Sequence, residues 1–334
     1  MSSSSLMSLP DLELGLQPGR PAVLRAEPDG DAPGWAAAHH DAVRDAATEH
    51  GAVLLRGLKL RDPAATAAVV RELTTGLMTE REAYAPRQDA GERLSWSTPW
   101  PANQPMRLHH ELSYARQVPG LMAFACLCAP AVGGATTLAD AATVLAALPA
   151  DVVARFEREG WLLLRSYDDE IGASVAEAFG TDDRAAIEAY CRANGIETAW
   201  QPGGGLRTRQ RRPAVITHPR TGRRCWFNQV AFLNEWTLPS EVHEYLVDVY
   251  GADGLPFTTR FGDGEPIDED VIAMINEVYE MHTTRVSWQD GDLMLVDNLA
   301  TAHGRDPYEG PREMLVAMAD PVRLTATADP GWLR

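Results

Sequence analysis

The chain has 334 residues, 45% of them hydrophobic, enough to fill the core of one large domain or two small ones. Its formal net charge of -17 is spread along the sequence, a field that repels phosphate backbones and anionic lipid surfaces, so nucleic acid and membranes are excluded as partners. Nine tryptophans and seven phenylalanines exclude an aromatic-poor disordered chain, and the four cysteines, of which only Cys126 and Cys128 are close, read as reduced thiols.

The opening MSSSSLMSLPDLELG lacks the basic residues and apolar run of a secretory signal, and no run of about 18 apolar residues follows, so a cytoplasmic enzyme is expected. Residues 1–10, rich in Ser, are expected to be disordered. Residues 35–50 read as an Ala-rich amphipathic helix closed by Gly51, and Ala52–Arg56 as a buried strand. Residues 63–77 carry Ala, Val and Leu at helical spacing, whereas 84–105 hold Pro, Gly, Asn and Trp without a period and read as a long loop. Strand signals follow at 106–114 and 121–129, and a turn through Gly133 and Gly134 opens a short strand at 136–139. From 141 to about 199 the pattern is helical, with helices expected at 141–148, 149–159 and 182–194, so 141–212 reads as a helical insertion between strands. Strands are expected again at 214–218 and 224–232, helices at 239–249 and 267–280, and final strands at 283–288, Leu293–Asp297 and 312–320.

Strands at both ends around a helical middle, with no repeat and no regular βαβ alternation, point to an antiparallel jelly-roll sandwich rather than a doubly wound sheet. No linker-like stretch divides the chain, so residues 11–334 are expected to form one domain.

In Leu108-His109-His110-Glu111-Leu112-Ser113-Tyr114 a His and a Glu stand two apart, which on a strand places both side chains on one face where they can grip one ion. His110 then points to the other face, and by the same parity Arg107 and Ser113 share the face of His109. Near the other end, His303 stands alone just after a strand and can supply a third ligand. Two imidazoles and one carboxylate suit Fe(II), leaving three positions for a bidentate oxoacid and O2, although the same set can hold Zn2+ around a water.

The ordered segments 51–57 (GAVLLRG), 108–114 (LHHELSY), 133–140 (GGATTLAD), 226–229 (WFNQ) and 296–298 (VDN) through Arg312 resemble the taurine dioxygenase and clavaminate synthase-like superfamily over most of the chain. Within it they are similar to bacterial members of antibiotic and siderophore pathways, such as the syringomycin-type β-hydroxylases. The resemblance implies a mainly β fold with flanking helices, built on a double-stranded β-helix core of jelly-roll, cupin-like form. It also implies an oxygenase that uses Fe(II), 2-oxoglutarate and O2, releasing succinate and CO2. The positions that match the family's ligands are His109, Glu111 and His303, and Thr136 matches a cosubstrate-binding Thr. The distal carboxylate of 2-oxoglutarate, once dehydrated, calls for a charge-assisted and preferably bidentate partner, for which Arg312 is the best match and Arg305 the fallback. A carboxylate at 111 argues against the halogenating branch, which leaves that position open for chloride.

The substrate is expected to be a small molecule lined by loop 84–105, the strand face of His109 and the insertion acting as a lid. Arg107 or Arg116 is a candidate for binding the carboxylate of an amino-acid-like substrate, with Ser113 and Asn228 as further candidates. A surface arginine is the plainer reading of the first pair, and buried amides such as Asn228 and Gln229 commonly just satisfy backbone groups. The basic run at 207–212 can dock a carrier protein bearing a tethered substrate, or can be a solvated loop. A zinc hydrolase is the rival enzyme, distinguished by 2-oxoglutarate consumption; a non-catalytic jelly-roll binding protein would leave Thr136 and Arg312 unexplained.

Overall fold

The strands Gln117–Cys128 and Glu313–Arg323 pair antiparallel along most of their length and form the centre of the fold. The structure, a computed structural model, describes residues 14–15, 21–85, 87–167 and 172–324, so the start expected to be disordered lies outside it. Along Gln117–Cys128, Met122 and Cys126 enter one core while Leu121, Ala123 and Ala125 enter another. Glu313–Arg323 does the same, with Met314, Val316 and Met318 opposed to Leu315, Ala317 and Ala319. A period of two with both faces buried explains why these strands read as unbroken apolar runs.

The eight-stranded sheet runs in the order Leu14–Gly15, Ala22–Arg25, Ala52–Arg56, Leu293–Asp297, Gln117–Cys128, Glu313–Arg323, Leu94–Trp96, Asp89–Gly91. Helices His40–His50 and Pro63–Leu73 cover one face through Val43, Ala47, Val70 and Leu73. Against the other face packs a four-stranded sheet ordered Thr284–Val286, Thr136–Asp140, Thr301–Arg305, Met106–His109, whose Leu138 and Ala302 share a core with Met122 and Met294. This is the expected jelly-roll sandwich, and the two facing sheets enclose the site described below. All four cysteines are free, and no helix among the described residues is long and apolar enough to cross a membrane.

Several elements differ from the sequence reading. The helix expected at 35–50 starts earlier, where Asp31 accepts from Gly34 N, and is two, Ala32–Ala38 and His40–His50, parted at the non-helical backbone of His39. The loop 84–105 contains a small hairpin, Asp89–Gly91 with Leu94–Trp96. The largest difference is in 141–212. Helices Ala141–Ala147, Ala150–Glu159 and Arg184–Ala193 form there, but Trp161–Tyr167, Ile196–Trp200 and Leu206–Arg212 are strands that join Phe257–Phe261 in a third sheet. Trp161–Tyr167 is buried at most positions, so it shows no alternation that separates a strand from a buried helix. Leu206–Arg212 turns Thr208, Gln210 and Arg212 inward, so its alternation is real but not hydrophobic.

Candidate metal centre

The edge strand Met106–His109 pairs with Thr301–Arg305 so that His303 stands opposite His109 and Arg305 opposite Met106. Two steps on one strand thus match three on the other, a bulge that re-aims side chains. Met106 and His109 consequently face one cavity although they are three residues apart, and Arg107 is exposed. Beyond His109 the chain leaves the sheet, with Ala115 N donating to Leu112 O at 2.7 Å and Leu112 at a left-handed φ of 52°. A side chain disfavours that conformation, which is held here by full burial of Leu112. Glu111 therefore reaches the side of His109 through a turn rather than through strand alternation.

Asn298 fixes that turn. Its Oδ1 accepts from Glu111 N at 2.8 Å, and its Nδ2 donates to Glu111 O at 3.0 Å and Pro119 O at 2.8 Å. The carbonyl of Asn298 accepts from His110 Nδ1 at 2.7 Å, while Gln229 Nε2 donates to His110 O at 2.7 Å. His110 is thereby committed to the core, and burial lowers its pKa to about 4.

One donor atom from each of His109, Glu111 and His303 lies within 4.8 Å of the other two, and all three residues are buried. His109 Nδ1 donates to Arg107 O at 2.9 Å, which places the proton there and leaves Nε2 bare. Its ring stacks on Phe232 with centroids 4.3 Å apart, and the His303 ring lies 5.1 Å from that of Phe124. Burial above all lowers the pKa of His109, and lowers that of His303 strongly, where His109, His110 and Arg87 act in the same direction. Burial alone would raise the pKa of Glu111, but the Arg87 guanidinium at 2.7 Å and then His109 outweigh it and hold the carboxyl below the usual range. Two neutral imidazoles and one carboxylate are the deprotonated donors a metal requires. Glu111 Oε1 and His303 Nδ1 are buried without a protein partner, an uncommon condition that a bound cation relieves at the carboxylate. The donor set fits iron.

The cavity beside these donors measures about 60 Å3 and is lined also by Thr136, Arg305 and Arg312. Thr136 Oγ1 accepts from Trp288 Nε1 at 3.0 Å, so its own proton is left to donate elsewhere. Arg305 is occupied: its Nη2 donates to Pro101 O at 2.8 Å and Gln104 O at 2.7 Å. Among the described residues Arg312 makes one hydrogen bond, a long 3.5 Å from Nη1 to Ser97 Oγ, and lies 5.4 Å from the Tyr308 ring centroid; its Nε has no partner, and burial followed by the nearby Arg305 lowers its pKa to about 10. Arg305 Nε is also without a partner, but with Nη2 committed to two carbonyls Arg305 is anchored to the loop, and Arg312 is the arginine with more hydrogen-bonding capacity to spare. It lies just before a bulge between Glu313 and Met314, which sets its side chain on the cavity wall with Met314 and Val316.

The four residues expected at the substrate are not on this wall. Arg107 lines a separate cavity of about 130 Å3 with Glu280 and Arg285, because the bulge breaks the parity that would have aligned it with His109. Ser113 is buried beyond the end of the strand, where parity no longer applies. Arg116 lies against Gly195 and reaches Ala193 O at 3.5 Å. Asn228 satisfies backbone, donating to Ala214 O and accepting from Val230 N, each at 3.0 Å. Residues that the sequence reading did not single out take their place: Arg87, Ser97 and Thr98 from the long loop line the cavity, and Trp288 backs Thr136. Only the expectation that loop 84–105 meets the pocket pointed toward the first three.

Residues 15–318 match the family described as taurine catabolism dioxygenase TauD, TfdA family. The dapdiamide synthesis protein DdaC of Enterobacter agglomerans is 32% identical over 291 residues, covering 87% of this chain and 88% of that protein. A clavaminate synthase-like protein of Arabidopsis thaliana is 28% identical over 281 residues, covering 81% and 82%. Among solved structures, PvcB, described as an Fe, alpha-ketoglutarate dependent oxygenase from an isonitrile synthetic pathway, superposes with a TM-score of 0.52 at 16% identity, covering 93% of this chain and 94% of that one. The chain therefore belongs to the TauD/TfdA family and is an iron- and 2-oxoglutarate-dependent dioxygenase.

Proposed function

We propose that the enzyme hydroxylates an unactivated C–H bond of a small amino-acid-like substrate, free or tethered to a carrier, in cytoplasmic specialised metabolism. The observation that carries this reading is the ionised carboxylate of Glu111 beside two neutral imidazoles, facing a cavity that holds an arginine with free donors. A carboxylate donor leaves no place for a halide, which favours oxygen transfer. The involvement of the relative DdaC in dapdiamide synthesis supports a specialised-metabolic role.

In this reading His109, Glu111 and His303 hold Fe(II), while Arg312 and Thr136 take the distal carboxylate of 2-oxoglutarate. Bound there, the two supply O2-dependent oxidation of a C–H bond, with succinate and CO2 as co-products. The chain's own part is placement and exclusion of water. Trp288 leaves the Thr136 hydroxyl proton free for the cosubstrate, and Phe124 and Phe232 wall the imidazoles with apolar surface.

Anaerobic titration of the Fe(II) protein with 2-oxoglutarate should develop a visible charge-transfer band, and its absence from the wild type would overturn the reading. His109→Ala, Glu111→Ala and His303→Ala should each abolish succinate formation. Product analysis separates hydroxylation from desaturation, epoxidation or cyclisation. A carrier-bound substrate is favoured by one further observation: Arg207 and Arg209 project to solvent from Leu206–Arg212, while Arg212 is buried. Neutralising Arg207 and Arg209 should then weaken carrier binding and leave turnover of a free substrate mimic unchanged.

A further inference from the structure

Arg87 lies on the cavity wall with its side chain 7% exposed, and each of its nitrogens has a partner. Nη2 donates to Glu111 Oε2 at 2.7 Å, Nη1 to Glu80 Oε2 at 3.3 Å, and Nε to Thr98 Oγ1 at 2.9 Å. Held from three directions, the guanidinium is fixed against one oxygen of the carboxylate in the metal cluster. A positive charge here opposes a divalent cation through Coulomb repulsion, and Glu80 behind it offsets only part of that. Holding Glu111 ionised offsets that repulsion, and the fixed direction of the contact points to a second effect.

Counting donors supplies an account. An octahedral ion bound by two imidazole nitrogens and one carboxylate oxygen keeps three open positions, two for 2-oxoglutarate and one for O2. A carboxylate that gave both oxygens would leave two, and 2-oxoglutarate would fill them. In the structure Glu111 Oε2 accepts from Arg87 and lies 4.0 Å from His303 Nε2, and Oε1 is the oxygen without a protein partner, so the contact with Arg87 fixes how the two oxygens are presented to the cluster.

We infer that Arg87 is a positioning residue that restricts Glu111 to donating a single oxygen and so keeps open the position that O2 needs. The inference rests on the metal reading given above. It concerns how Glu111 is presented, not whether the cluster binds metal.

The test uses Mn(II) in place of iron and water-proton relaxation, which counts exchangeable waters on the ion. Wild type should hold three waters, falling to one when 2-oxoglutarate is added. Arg87→Met should hold two, with relaxivity per bound ion about two-thirds of wild type, and fall to the outer-sphere baseline with 2-oxoglutarate. Arg87→Lys, which keeps a charge and a donor, should restore the wild-type counts. With Fe(II), Arg87→Met should still form the 2-oxoglutarate band while succinate formation drops about 10- to 100-fold, the range for losing a ligand's outer partner. Wild-type water counts in Arg87→Met would overturn the inference. Failure of wild type to bind Mn(II), or undiminished binding in His303→Ala, would instead overturn the metal reading. If Arg87→Met does not fold, the infrared difference spectrum of wild type on Mn(II) binding, with the Glu111→Ala spectrum subtracted, decides. A wide splitting of the carboxylate stretches supports single-oxygen donation, and a narrow one refutes it.

Discussion

Arg305 and Arg312 share a cavity wall, yet their hydrogen bonds assign them different work. Arg305 is anchored through Nη2 to Pro101 O and Gln104 O, whereas Arg312 has only a long contact to Ser97 Oγ among the described residues and more donors in hand. Arg312→Leu should therefore raise the 2-oxoglutarate KM by about 10- to 150-fold, the equivalent of the roughly 1.5–3 kcal/mol of a charged hydrogen bond. Arg305→Leu should lower the melting temperature by releasing the loop carbonyls of Pro101 and Gln104, with a smaller change in KM. Trp288→Phe removes a neutral hydrogen bond to Thr136, so a rise of about 2- to 10-fold in the same KM is expected. His110 carries a pH dependence. Its pKa is about 4 in the fold against an ordinary 6.5, so the unfolded chain takes up the proton first as pH falls. Stability is intact above pH 6.5, erodes by up to about 3 kcal/mol down to pH 4, and then levels. Urea unfolding at a series of pH values should show that loss, and His110→Gln should reduce it without removing the parts due to His109 and His303. Of the residues the structure brings to one cavity, His109 and Glu111 were legible from their spacing, whereas His303, Thr136 and Arg312 were singled out by the resemblance of the ordered segments around them. Arg87 and Trp288 were not legible, since one is an arginine in a patternless loop and the other an ordinary aromatic in a stretch that read as a plain strand.

Short elements decide more here than long ones. Met106–His109 is four residues long, and its bulge decides which of its side chains reach the cavity. Gly304, on the strand opposite, allows that approach: a Cβ built there would lie 2.5 Å from Met106 O and 2.7 Å from Thr137 Oγ1. Gly304→Ala should push the strands of His109 and His303 apart and weaken Mn(II) or Fe(II) binding by about 10- to 100-fold, as read by metal titration. The central strands were legible because both of their faces are apolar. The third sheet was not, because its inner face is built around a polar anchor. The Glu82 carboxylate accepts from Tyr190 Oη at 2.8 Å and Gln210 Nε2 at 3.0 Å, and Arg165 donates to the carbonyls of Glu82 and Ala83 at 2.6 and 2.8 Å. A strand that buries Thr, Gln and Arg looks, by composition, like a surface loop. The bulge was equally hidden, since parity arguments assume an unbroken ladder.

At the scale of the molecule, the donors are placed by main chain that is complete without metal. His109 and His303 are register partners, and Glu111 hangs from Asn298 by two hydrogen bonds. Chelation should therefore abolish turnover while leaving the far-UV circular dichroism unchanged, with activity returning on addition of Fe(II); collapse of the fold on chelation would contradict this. Asn298 follows directly on Leu293–Asp297 of the large sheet, whereas both histidines belong to the small one. The centre is thus a calliper laid across the sandwich, one jaw on each sheet. Warming or pressure that alters the gap between the sheets changes the span of the jaws before it melts either sheet, so iron should be released from a protein that is still folded.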